Sequence, residues 1–180
     1  MIDYNLLAHS AKFYEEHGFN RIESPWTVSK AVDDITRPSD KIPFQLVHNQ
    51  KCLVGSGEQS FLYLYLKGFL PKGKYQTITP CFRYEQFDET HTKYFMKNEL
   101  IDTKKTERED LMRMVDIAYK FFCSVSVKTP TVKQTKEGFD IEINEKEVGS
   151  YGIRECEFLK WIYGTGCAEP RTSTILNGLS

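Results

Sequence analysis

At 180 residues the chain has room for one well-buried domain and is too short for two ordinary ones. Its 40% hydrophobic and 27% charged content is that of a soluble globular protein, and no apolar run approaches membrane-spanning length. The net charge of -1, with acids and bases interleaved, gives no overall electrostatic footprint for nucleic acid and leaves room only for a local basic patch.

The N-terminus, Met1-Ile-Asp-Tyr-Asn5, lacks a basic region followed by an apolar one. No secretory signal is read, and a cytoplasmic location is the expectation. The five cysteines are widely spaced, without a Cys-x-x-Cys pair, and are read as reduced thiols rather than zinc ligands.

Leu6, Leu7, Ala11 and Tyr14 recur at helical spacing over residues 5–16, and Gly18 supplies a stop. A short strand is predicted over 19–23, followed by Ser24-Pro25. Residues 29–43 are polar, hold two prolines and show no period, so they read as a loop. Short strands are predicted over 44–48 and 51–54. Ser56-Gly-Glu58 then opens a helix through Phe61, Leu62, Leu64 and Leu66. A carboxylate at such a junction complements the helix dipole.

A strand over 75–79 delivers a hairpin. Period-2 geometry places Arg83 and Glu85 on one side of its first strand, and Phe95, Lys97 and Glu99 on one side of its second. An exposed cation, carboxylate and ring on adjacent strands suit a nucleotide, with Arg on a phosphate, Glu on the adenine amino group and Phe under the ring. A salt-bridged cross-strand ribbon is the alternative. The second strand is predicted to run out at Asp102. Residues 106–109 have the form of a capping box, and Leu111, Met114, Val115, Ala118 and Phe122 mark one side of a helix ending near Cys123. Pro130 leaves any strand over 125–132 broken or at an edge, and 133–138 reads as a charged turn. Strands are predicted over 139–143 and 148–151. Small residues alternate at Gly164, Gly166 and Ala168, which lets a ligand approach the backbone, and Pro170 suits a helix's first turn beside Arg171.

Several of these segments resemble, in order, the motifs of the class II aminoacyl-tRNA synthetases. The first helix, strand and Ser24-Pro25 are similar to motif 1; Ser56-Gly-Glu58 to the Thr-x-Glu loop; Phe82-Arg83-Tyr84-Glu85 with His91-Thr-Lys-Tyr-Phe95 to motif 2. Glu147-Val-Gly-Ser150 resembles the Glu-x-x-Ser of seryl-type enzymes, and Gly164 to Arg171 resembles motif 3, with Ala168 in place of a third glycine as in seryl-type enzymes.

The resemblance implies an α+β fold, an antiparallel sheet flanked by helices. It implies a single catalytic domain over 1–180 without an anticodon-binding domain, and a homodimer through the first helix and strand. The implied activity is ATP-dependent formation of an aminoacyl-adenylate. Arg83 is expected on the α-phosphate and the attacking carboxylate, Glu85 on the adenine amino group and Phe95 against the ring. Arg171 is expected at the γ-phosphate, on the ring's other side, and His91 at the β- and γ-phosphates. Glu147 and Ser150 are the implied magnesium ligands, and Glu58 reads the substrate's amino group. The loop over 86–94 is short and weighs against the tRNA contact the family makes there. The acceptor is therefore read as a carrier protein or small molecule, with charging of tRNA through its acceptor stem and a non-catalytic nucleotide-, tRNA- or protein-binding module as the alternatives. The motif details lean toward a small amino acid.

Overall fold

The computed structural model describes residues 1–84 and 93–178. A seven-stranded sheet runs through them in the order β1-β4-β5-β9-β8-β7-β6. Only the pairing of β1 (Asn20–Arg21) with β4 (Lys74–Phe82) is parallel. The other neighbours are antiparallel: β5 (Tyr94–Asp102), β9 (Leu159–Glu169), β8 (Lys146–Cys156), β7 (Gly138–Ile143) and β6 (Thr131–Gln134). A separate ribbon pairs β2 (Thr27–Ser29) with β3 (Lys51–Leu53).

Two helices close one face of the sheet. In α1 (Tyr4–Glu16), Asp3 caps the first turn by accepting from Asn5 and Leu6 N–H, and the buried stripe is Leu7, Ser10, Ala11 and Tyr14. In α4 (Arg108–Val125), Leu111, Met114, Val115, Ala118, Phe121 and Phe122 are buried against Leu100, Ile141, Tyr151 and Ile162 of the strands. A polar clamp inside this layer fixes α1 to the sheet. Gln76 Nε2 donates to the Ala11 carbonyl at 2.8 Å, and Asn98 Nδ2 donates to Gln76 Oε1 at 2.9 Å and Ser10 Oγ at 3.1 Å. On the opposite face α3 (Gly57–Leu66) buries Phe61 and Leu62 with Val28, Val54, Ile101 and Trp161, and covers only part of the sheet.

Several expectations shift. The stretch read as a loop over 29–43 holds the short helix α2 (Lys30–Asp33), whose single turn is too brief to show a period. The segment 44–48 makes one bridge, Gln45 to Cys52, in place of a strand. The capping box of α4 is formed by Glu107 and Asp110, one residue later than Thr106 and Glu109. Strand β8 continues five residues beyond Tyr151 to Cys156, and β6 takes in Lys133 and Gln134.

Candidate nucleotide and amino-acid site

Strand alternation decides what reaches the uncovered part of the second face. Along β5, Met96 and Leu100 join the core beneath α1 and α4, and Asn98 joins the clamp. Phe95, Lys97 and Glu99 therefore face the other way, and all three line a cavity of about 330 Å³, within the size range of small-molecule sites. The same cavity is lined by Arg83 after β4, Ser56 and Glu58 at the start of α3, Glu147, Ser150 and Arg154 of β8, and Arg171 at the start of α5 (Arg171–Leu176).

At one end, Arg83 Nε donates to the Gly55 carbonyl at 3.0 Å and the guanidinium carbon lies 5.2 Å from the centre of the Phe95 ring. Arg171 donates to Glu147 Oε1 at 2.9 Å, and both side chains remain partly exposed. Ser150 hydrogen-bonds Asp140 across the β7–β8 ladder, where burial pushes the Asp140 carboxyl above its ordinary range. Glu147 and Ser150 offer hard oxygen donors at the cavity wall, which fits a magnesium ion that takes its remaining ligands from phosphate and water. Among the described residues no cluster of three His, Cys, Asp or Glu side chains forms a complete metal cage. Glu85 and His91 lie outside the described residues.

At the other end the charges are packed more tightly. Ser56 caps α3, its hydroxyl accepting from Glu58 N–H and donating to Glu99 Oε2 at 2.7 Å. Gly57 N–H donates to the same oxygen at 3.2 Å. Lys97 Nζ lies 2.8 Å from Glu99 Oε1, close enough for charge pairing but not aligned as a hydrogen bond. Glu58 is 3% exposed, and both of its oxygens are engaged. Trp161 Nε1 donates to Oε1 at 2.6 Å, and Arg154 forms a short ion pair with Oε2. Burial raises the Glu58 carboxyl, against the lowering effect of Arg154. Cys81 on β4 is fully buried, its thiol pushed up to about 12 by that burial, and is no nucleophile at neutral pH.

No protein-family model matches the sequence, and no curated protein matches it significantly. Solved structures do resemble it. Pyrrolysyl-tRNA synthetase from Desulfitobacterium hafniense superposes with a TM-score of 0.77 at 20% identity, over 97% of this chain and 69% of that one. Seryl-tRNA synthetase from Pyrococcus horikoshii, complexed with ATP, gives 0.75 at 14% identity, over 96% and 49%. Cytoplasmic serine-tRNA ligase from Naegleria fowleri, in complex with AMP, gives 0.71 at 18%, over 94% and 46%. The fold is that of a class II aminoacyl-tRNA synthetase core. This chain spans about half the length of the two seryl enzymes.

Within this synthetase fold, Arg83, Phe95, Glu58, Glu147, Ser150 and Arg171 converge on one cavity although they come from separate elements. The small residues of β9 are used differently from the expectation. A Cβ on Gly164 would lie 2.6 Å from Tyr151 Cδ1 and 2.8 Å from Met114 Sδ; one on Gly166 would lie 2.9 Å from Tyr14 Cε2. Both glycines make room for side chains in the layer beneath α1 and α4, and a register shift between Asn98 and Glu99 then turns Ala168 toward the cavity. Sequence reading missed Arg154, Trp161 and Tyr163. Their signal was the continued alternation Ser150, Gly152, Arg154 on β8 and Trp161, Tyr163, Thr165 on β9.

Proposed function

We propose that the protein activates an amino acid with ATP: the substrate carboxylate attacks the α-phosphorus and yields an aminoacyl-adenylate and pyrophosphate. The observation that carries this reading is the convergence of Arg83, Phe95, Arg171, Glu147, Ser150 and Glu58 on one cavity. The reaction asks the protein mainly for positioning and charge stabilisation.

Arg83 is held by the Gly55 carbonyl beside Phe95, so a phosphate-binding group and a ring-binding group are neighbours, as the α-phosphate and base of one nucleotide require. We assign Arg83 to the α-phosphate and attacking carboxylate, Phe95 to the adenine ring, Glu85 to the adenine amino group and His91 to the β- and γ-phosphates. Arg171 meets the γ-phosphate once that phosphate competes with Glu147 for its guanidinium. Glu147 and Ser150 would hold a magnesium ion, which when bound neutralises phosphate charge. Glu58 belongs to the amino-acid end.

The proposed catalytic unit is one domain over 1–180, paired as a homodimer through α1 and the exposed edge strand β1. Near-neutral net charge weighs against extensive tRNA contact, so the preferred acceptor is a carrier protein or small molecule. ATP–pyrophosphate exchange against the twenty amino acids, with and without tRNA, tests all of this. Exchange that is independent of tRNA is the expected result. Exchange that requires tRNA assigns acceptor-stem charging, and absence of both exchange and ATP binding assigns a non-catalytic module.

A further inference from the structure

Glu58 lines the cavity, but both of its carboxylate oxygens are already held. Trp161 and Arg154 occupy its two oxygens, and the side chain is 3% exposed where that of Arg154 is 34% exposed. Arg154 is itself positioned twice. It sits opposite Trp161 in the β8–β9 ladder, and its guanidinium carbon lies 4.1 Å from the centre of the Tyr163 ring. A guanidinium carries five N–H donors in a rigid fork, and the pairing with Glu58 leaves others available at the cavity wall. What a ligand meets at this end is therefore a cation, with a buried carboxylate behind it to hold it in place. Lys97, itself paired with Glu99, and Thr165 line the same cavity.

We propose that Arg154 is the specificity-determining residue of the amino-acid end, and that it selects a substrate carrying a second carboxylate, an acidic amino acid or a related dicarboxylic acid. This rests on the adenylation reading above, in which the first carboxylate attacks ATP. Glu58 then acts as a positioning residue for Arg154. A planar fork suits a carboxylate in a way that a lysine ammonium does not, and a site built around such a pairing discriminates strongly against substrates that leave it unfilled.

The test is ATP–pyrophosphate exchange by the full chain with aspartate, glutamate, succinate, glutarate, serine, alanine and lysine, alongside calorimetric titration of ATP alone. An acidic amino acid or dicarboxylate is expected to exceed serine, alanine and lysine in kcat/KM by at least about tenfold. Exchange with aspartate or glutamate but not with succinate or glutarate assigns an amino acid; exchange with both kinds assigns the carboxylate alone. Arg154→Lys keeps a cation beside Glu58, so the fold is expected to persist by circular dichroism. It is expected to lose roughly tenfold or more with the preferred substrate while the Kd for ATP stays within about twofold. Preference for serine, alanine or lysine, exchange with none of the dicarboxylates, or an unchanged preference in Arg154→Lys overturns the assignment and leaves ATP binding standing. Failure of the wild-type protein to bind ATP removes the adenylation reading and this one together.

Discussion

The guanidinium carbon of Arg83 lies 5.2 Å from the centre of the Phe95 ring while its Nε donates to the Gly55 carbonyl at 3.0 Å. Both contacts hold a cation at the wall of the cavity without neutralising it. Arg83→Ala is expected to lower ATP–pyrophosphate exchange by at least about 100-fold, the scale of losing a preorganised charge in a transition state. The lost hydrogen bond and stacking should cost only about 1 kcal/mol of stability by urea titration. Undiminished exchange in this variant removes Arg83 from the chemistry. Phe95→Leu, which keeps apolar volume and loses the ring, is expected to raise the Kd for ATP by roughly tenfold.

Glu58 gives a pH dependence with a defined sign. Burial raises its carboxyl above the ordinary 4.5, so the folded state binds the proton more tightly than the unfolded chain. The stability this contributes is fully present below 4.5 and is lost as pH rises through the raised folded value. Glu58→Gln removes the titration. The melting temperature of the variant minus that of the wild type should therefore become more positive from about pH 4 to about pH 7. Asp140 is also raised by burial, but it is present in both proteins and cancels in the difference. A difference that falls with pH reports a carboxyl dominated by Arg154 instead.

The parts of the fold that sequence could reveal are those where one face repeats at a fixed period. The buried stripe of α4, the alternation of β5 and the Ser56-Gly-Glu58 junction all carry such local signals, and the hairpin residues Phe95, Lys97 and Glu99 do share a face. The single-turn helix α2 is too short for any period to register, and of the strand expected over 19–23 only Asn20–Arg21 pairs, as β1. The Gln76–Asn98–Ser10 clamp and the pairing of Glu58 with Trp161 and Arg154 join residues distant along the chain, and no local pattern reveals that they meet. Glycines 164 and 166 were visible, but which face they open toward depends on the register shift opposite Glu99.

That register assigns the two glycines to packing, which is separable from ligand binding. A Cβ on Gly166 would meet Tyr14 Cε2 at 2.9 Å and the Asn98 carbonyl oxygen at 3.1 Å, and the Tyr14 hydroxyl already donates to the Gly166 carbonyl. The ring is fully buried between α1 and the sheet and has little room to retreat. Gly166→Ala is expected to cost about 1–3 kcal/mol by urea unfolding, the range for overpacking a filled core. In the protein that remains folded, the Kd for ATP should stay within about twofold, since the added methyl lies on the face away from the cavity. Unchanged stability with lost ATP binding assigns the glycine to the ligand instead.

Glu147 and Arg171 form an ion pair at the cavity rim, with side chains 44% and 25% exposed. At that exposure solvent screens the pair, and Glu147→Gln should change stability by less than about 1 kcal/mol. Its effect on nucleotide binding should be larger and conditional. An amide oxygen can still approach a divalent ion but brings no charge, so the gain in ATP affinity on adding magnesium should shrink by roughly tenfold. Without magnesium the variant should bind ATP at least as well as the wild type, because Arg171 no longer has to leave a carboxylate to meet a phosphate. Calorimetric titration of ATP with magnesium and with a chelator separates the two effects. Equal loss in both conditions means that Glu147 positions Arg171 and holds no metal.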